Sequence, residues 1–235
     1  WKKLADRCHE VGVRCYLMMP RIFRKEAEQY FRKQMELLTS AGFDALGIGS
    51  MEEPGFLREA GIELPMYFDQ GMYSWNHLAG AAMERYGADR LTIPVELNER
   101  EIRDSGVQGE MIVYGYLPMM ISAQCIRKTT LGCSGKSEVM WLKDRKDMRF
   151  PVVNQCRFCY NTIYNSAPLS LLGLSEQVTG LKPNAVRLNF TVEEPAAACE
   201  ILDAFFEEYG MSEKAAEPPV LRNQFTRGHF KRGVE

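Results

Sequence analysis

Six short apolar runs alternate with amphipathic stretches along this chain, and that alternation is the signature of βα units around a parallel sheet. The runs are Val13 to Met18, Ala45 to Ile48, Met66 to Phe68, Leu91 to Val95, Met111 to Tyr116 and Val186 to Phe190. Between them, Phe23, Ala27, Tyr30, Phe31, Met35 and Leu38 fall on one helical face, and Trp75, Leu78, Ala79, Ala82, Met83 and Tyr86 on another. Both stripes read as core. A final helix is expected to open on a capping box, Thr191 with Glu194, and to carry Ala198, Ile201, Leu202, Phe205, Phe206 and Tyr209 as its apolar face up to Gly210. The fold class is α/β, with one body over residues 1–210 and a tail over 211–235.

A chain of 235 residues with 46% hydrophobic and 26% charged side chains is neither disordered nor fibrous. Its net charge of −2, with both signs interspersed, gives no polybasic surface for an extended nucleic-acid groove or a membrane. No apolar run approaches the roughly 18 to 20 residues of a bilayer span, and the first residues lack a secretory core. The expectation is a cytoplasmic protein without a membrane partner. Because the chain opens on Trp1 inside a helical pattern (Leu4, Cys8, Val11), an N-terminal half of the same protein is expected to precede it and to be its first partner.

The βα rhythm breaks between Pro118 and Pro168, an insertion expected to contain a hairpin: Val139 to Leu142, a turn at Lys143 to Lys146, then Met148 to Val153. Four of the seven cysteines lie inside it, spaced Cys125-x7-Cys133-x22-Cys156-x2-Cys159. Reducing conditions make disulfides a poor reading for them. Four thiolates converging on one point need a soft metal, so the candidates are a tetrahedral zinc or an iron–sulfur cluster, and spacing does not choose between them. Cys8, Cys15 and Cys199 fall on helix or strand patterns and read as small buried hydrophobes.

Several segments resemble one family. They are Glu110-Met-Ile-Val-Tyr-Gly115, Ser122-Ala-Gln-Cys125, the stretch Asp144 to Pro151, the stretch Cys156-Arg-Phe-Cys159 to Ser166, and the closing Thr226 to Glu235. Together they resemble the collagenase-like peptidase family, most closely the C-terminal half of its longer bacterial members. The resemblance implies a (β/α) TIM-barrel-like module, incomplete here, with a cysteine-bearing hairpin insertion over 118–168. It also implies two histories: collagen degradation ascribed to some members, and in others a four-cysteine [4Fe–4S] cluster serving hydroxylation of RNA bases or a quinone ring. Pro118 stands where the family commonly has a cysteine and Ala123 where glycine is usual, so Cys133 has to supply the fourth ligand beside Cys125, Cys156 and Cys159.

In parallel α/β folds ligands gather at the C-terminal ends of strands, which makes Arg21, Glu52, Asp69, Gln70, Glu96, Asn98 and Glu193 the polar candidates. Glu96, Asn98 and Asp69 are the catalytic candidates; Asn98 with Glu99 reads equally well as a helix cap. Arg21, Gln70, Tyr160 and Tyr164 are the substrate candidates, with Asn161 and Asn165 beside the tyrosines. No serine elbow or HExxH spacing is present, and the three histidines, His9, His77 and His229, form no motif. In the tail, Arg222, Arg227, Lys231 and Arg232 interleave with Phe225 and Phe230, a pattern that can grip single-stranded RNA. The functional expectation is a [4Fe–4S] protein acting on a planar ring, an RNA base; a protease and a zinc-stabilised binding module are the alternatives.

Overall fold

The computed structural model of the chain describes residues 1–210 and 224–233; Arg222 and the Pro218-Pro219 break lie outside the described residues. The architecture is mixed α/β, and contacts divide it into two compact units, Trp1–Pro94 with Ser105–Gly109, and Val95–Asp104 with Glu110–Glu235.

The first unit runs α1 (Lys2–Glu10), β1 (Tyr16–Met18), α2 (Lys25–Lys33), α3 (Met35–Ser40), β2 (Ala45–Ile48), α4 (Glu52–Glu59), β3 (Met66–Phe68), a 3₁₀ turn (Gln70–Met72), α5 (His77–Tyr86) and β4 (Arg90–Leu91). Its strands pair in sequential order, all parallel, with Tyr16 opposite Ala45, Leu46 opposite Met66 and Tyr67 opposite Arg90. Every crossover carries helix, which is why β2 is buried over its whole length and reads as an unbroken apolar run. Leu38, Leu46 and Ile48 are fully buried, each contributing roughly 1.5 to 3 kcal/mol by leaving water. The apolar face predicted from Phe23 to Leu38 spans two helices, because the chain leaves helical geometry at Gln34 while the periodicity continues across it.

The stripe on α5 is not core. Gly80 is the buried residue of that helix, with room for only a methyl against Leu91 and Val107, whereas Leu78 is 69% and Trp75 40% exposed. Close approach through a glycine rotated the larger side chains outward. The side chain of Asn76 caps the helix by accepting the Ala79 N–H at 3.0 Å, and Gly87 closes it in a left-handed conformation.

The second unit holds α6 (Glu99–Ser105), β5 (Glu110–Gly115), β6 (Pro118–Ser122), α7 (Ile126–Leu131), β7 (Val139–Lys143), β8 (Arg149–Gln155), β9 (Tyr160–Tyr164), β10 (Leu169–Ser170), α8 (Ser175–Gly180), β11 (Ala185–Asn189) and α9 (Pro195–Glu208). β5 is the buried centre of a three-stranded sheet, parallel to β11 and antiparallel to β10. A separate antiparallel sheet has the order β6-β9-β8-β7. In it β7 and β8 are joined by a turn in which Asp144 Oδ1 accepts the N–H groups of Lys146 and Met148, and Asp147 takes a positive φ. Gly115 ends β5 at φ +144, and a Cβ there would collide with the Asn189 carbonyl on β11. Gly115→Ala is therefore expected to lower stability by about 2 kcal/mol or more, read as a shifted urea midpoint with an unchanged slope.

Two further expectations are corrected. The capping box at Thr191 and Glu194 does not form: Pro195 takes the first helical position of α9, Glu194 caps without a side-chain bond, and Glu193 Oε2 accepts the Thr191 and Val192 N–H groups at 2.6 and 3.0 Å. A proline needs no acceptor in a first turn, so the start moved to it. Phe206 is left 40% exposed. Of the three cysteines read as buried, Cys15 is buried at 7%, Cys8 half-buried and Cys199 exposed.

The described tail packs into the second unit. Phe230 is 3% exposed, its carbonyl accepts the Glu99 N–H, and Thr226 bridges to Leu169. Arg227 Nη1 donates to the carbonyls of Ser170 and Leu172 at 2.8 and 2.6 Å, and Lys231 Nζ donates to Gln177. Phe230, Arg227 and Lys231 are engaged in packing and hydrogen bonding within the protein, and Arg232 is exposed.

Candidate functional site

All four insertion cysteines line one cavity of about 430 Å³, together with Gln124, Lys128, Asn154 and Tyr160. Two short loops and one turn bring them there. Cys125 is the N-cap of α7, its Sγ accepting the Lys128 N–H at 3.4 Å. That short helix stops at Gly132, whose positive φ turns the chain, and Cys133 follows, exposed. Cys156 and Cys159 stand in the turn between β8 and β9, where Phe158 N–H bonds the Gln155 carbonyl and Cys159 takes a left-handed φ of 52°. A non-glycine residue there is strained, and such strain concentrates at sites that use it.

Two buried asparagines on facing positions of β8 and β9 hold these loops. Asn154 is 1% exposed; its Oδ1 accepts the Glu138 N–H at 2.8 Å, and its Nδ2 donates to the Lys136 carbonyl and to Cys156 Sγ. Asn161 is fully buried and donates to the Gln124 carbonyl at 2.8 Å, fixing the chain just before Cys125. Across the α7 loop, Glu138 Oε1 takes the Arg127 Nε at 2.6 Å. Asn161 was named in the sequence only as a neighbour of the tyrosines and Asn154 not at all; the available signal was an amide alternating with apolar residues on a strand.

Electrostatics register the gathering. Loss of water around Cys156 pushes its thiol up, and the neighbouring thiols of Cys133, Cys125 and Cys159 push it further. The sulfurs are turned to local backbone: Cys156 S–H donates to the Lys136 carbonyl at 2.9 Å, and Cys159 leans on the Cys156 carbonyl. Among the described residues no group of three or more His, Cys, Asp or Glu side chains is disposed to hold a metal ion. Cysteine thiolates are the donor type that zinc and iron–sulfur clusters take, and these four line one cavity without being gathered around a common point.

A family model for peptidase family U32 matches residues 1–201. The chain belongs to that family. No curated protein matches it. One solved structure is similar over 80% of this chain and 76% of its own: the C-terminal domain of a candidate chitinase from Desulfitobacterium hafniense, 11% identical at a TM-score of 0.31, too slight a likeness to carry an argument. Among the described residues, no helix of this U32 member is long and apolar enough to cross a membrane.

The remaining candidates fall in both units. Tyr160 is buried at the cysteine cavity, and Tyr164 is half-buried at the far end of β9. Asn98 is a cap: its Oδ1 accepts the Glu101 N–H at 2.9 Å and its N–H returns to Glu101 Oε2 at 2.8 Å. Glu96 is half-buried two residues before it. Glu193 binds backbone as described, close to the Tyr114 hydroxyl, which burial first and that carboxylate second hold well above its ordinary range. His9 pairs with Asp44 at 3.0 Å, His77 is exposed, and His229 Nδ1 meets the Gly233 carbonyl.

In the first unit, Arg21, Asp69 and Gln70 come together at the strand ends, with Arg21 Nη1 donating to Asp69 Oδ2 at 3.2 Å. Glu52 is exposed. Its neighbour Glu53, which the sequence reading passed over, is fully buried, and burial pushes its carboxyl up to about 8 despite the opposing pull of the Gly49 and Ser50 amides and Arg21. The signal was there: Glu53 precedes Phe56 and Leu57 by three and four residues, on the face of α4 that turns inward.

Proposed function

We propose that Cys125, Cys133, Cys156 and Cys159 hold a [4Fe–4S] cluster and that this U32 protein takes part in hydroxylating a planar ring, an RNA base. The observation that carries the reading is the single cavity lined by all four cysteines. The cluster when bound would relay electrons: a ring C–H that becomes C–OH with the oxygen atom of water releases two electrons and two protons, and an acceptor from outside the chain would take the electrons. The protein's part is to fix the sulfurs through Asn154 and Asn161 and to offer Tyr160 as an aromatic wall beside them. The sequential parallel order of β1 to β4 is the order a (β/α) barrel uses, and we read the first unit as an arc of one.

Family membership favours a second reading, a peptidase. The test separates them. Anaerobic purification should give about four irons and four sulfides per chain with a broad absorption near roughly 400 nm, lost in Cys133→Ala. One zinc without iron would make the cysteines a structural staple, and absence of any metal would overturn the cluster. Peptide cleavage that persists when all four cysteines are serine would assign the chain to the peptidases.

A further inference from the structure

The net charge of −2 conceals a segregation of sign. Residues 118–168 hold eight Lys and Arg against three Asp and Glu, so the rest of the chain is acidic. Four of the eight, Lys143, Arg145, Lys146 and Arg149, stand at the closed end of the β7–β8 hairpin. Every residue from Trp141 to Arg149 is exposed, and β7 is the outer strand of its sheet.

The two aspartates of the tip leave it net positive. Asp144 accepts backbone N–H groups of the turn, and Asp147 takes Lys143 Nζ at 2.7 Å. Arg145, Lys146 and Arg149 have no acidic partner among the described residues. The ladder concentrates the charge further. Lys143 stands directly opposite Arg149, and Trp141, two residues before Lys143, shares their face. Like charges directly opposite one another are destabilising, so Arg149→Glu would make a more stable pair. Trp141 is 57% exposed and makes no ring contact among the described residues. An uncompensated cation pair beside an uncovered indole serves a ligand better than it serves the hairpin.

The arrangement narrows the partner. One strand step of about 7 Å sets the indole beside the cations, so a planar ring and the anionic groups that flank it can be met together. Single-stranded nucleic acid offers both, bases with open faces and a phosphate at every link. A bilayer fits less well, because residues 144–147 at the leading end are all charged. An acidic peptide would meet the cations and leave the indole in water.

We propose that the hairpin face bearing Trp141, Lys143 and Arg149, with Arg145 and Lys146 at its turn, binds single-stranded RNA, a base stacking on the indole and phosphates lying on the cations. The surface stands on charge and geometry; the choice of RNA rests on the ring hydroxylation proposed above.

The probe is a fluorescently labelled oligouridylate of about 12 nucleotides, followed by anisotropy at several salt concentrations. Saturable, salt-sensitive binding is expected. Trp141→Ala should weaken it about tenfold with an unchanged slope of log affinity against log salt, and Trp141→Phe, which keeps a ring, by less than about threefold. Arg145→Ala, Lys146→Ala and Arg149→Ala should each flatten the slope by about 0.7, whereas Lys3→Ala, at an exposed cation of α1, should not. No saturable binding, full affinity in Trp141→Ala, a loss in Lys3→Ala equal to that in Arg149→Ala, or tighter binding of polyglutamate or of phosphatidylserine vesicles would each overturn the proposal. Circular dichroism separates lost binding from lost fold, and the three salt slopes keep the test decisive if Trp141→Ala unfolds. Iron and sulfide measured on the same preparations keep the two readings apart: binding without iron overturns the cluster alone, and iron without binding overturns this surface alone.

Discussion

At pH 8 the Glu53→Gln variant is expected to be more stable than the parent chain by about 4 kcal/mol, while at pH 4 the two should unfold at nearly the same urea concentration. Burial raises the Glu53 carboxyl from 4.5 to about 8 in the folded chain. The folded form therefore holds this proton more tightly than the unfolded form, and the sign follows. The stabilisation linked to the proton is complete below pH 4.5, shrinks as pH rises at about 1.4 kcal/mol per unit, and is gone above 8. Glutamine keeps the shape and removes the titration. Trp1 and Trp75 both belong to the first unit, so fluorescence in a Trp141→Phe background would follow its unfolding. Parallel pH profiles for variant and parent would show that Glu53 meets water or a charge in the folded state, contrary to its full burial.

Asn154→Ala is expected to cost about 2 to 3 kcal/mol and to raise the labelling rate of Cys156 by a thiol reagent about tenfold. The substitution leaves the Glu138 N–H and the Lys136 carbonyl without the amide that joins them, and takes a donor from Cys156 Sγ. Those bonds hold the loop after Cys133 to the strand before Cys156, so their loss opens the segment locally before the unit unfolds. Exposed Cys199 supplies an internal reference that should not change. A stability loss with unaltered Cys156 labelling would reduce Asn154 to an ordinary buried amide.

Much of this was readable in the residues. Ala45 to Ile48 and Met66 to Phe68 emerged as strands with the bounds their apolar runs gave; the first is covered on both faces and so has no polar interruption, and the second is half-buried until Phe68. Leu91 to Val95 did not: pairing with β3 covers Arg90–Leu91 and continues only to the Thr92 N–H, and Pro94 has no N–H for a ladder. Periodicity misplaced the face of α5 because hydropathy ranks Leu78 above Gly80, whereas close approach favours the smaller residue. The four cysteines were legible as a group from their place in one insertion, and the structure sets them on one cavity, but the asparagines that hold their loops are invisible to any ligand-spacing rule. Glu53 was hidden for a related reason: two adjacent glutamates look alike until the helix assigns one of them to each face.

The twenty-two residues between Cys133 and Cys156 are a poor ruler of the distance the two must span. Cys133 enters the β7–β8 hairpin at its open end and Cys156 leaves it there, while the turn at residues 144–147 lies at the other end. Adding or deleting one cross-strand pair at that tip would alter the count by two and leave the base of the ladder in register. The intervening length is thus free to drift between relatives without disturbing the thiols, and a search that insists on a fixed spacing there would pass over chains built in the same way.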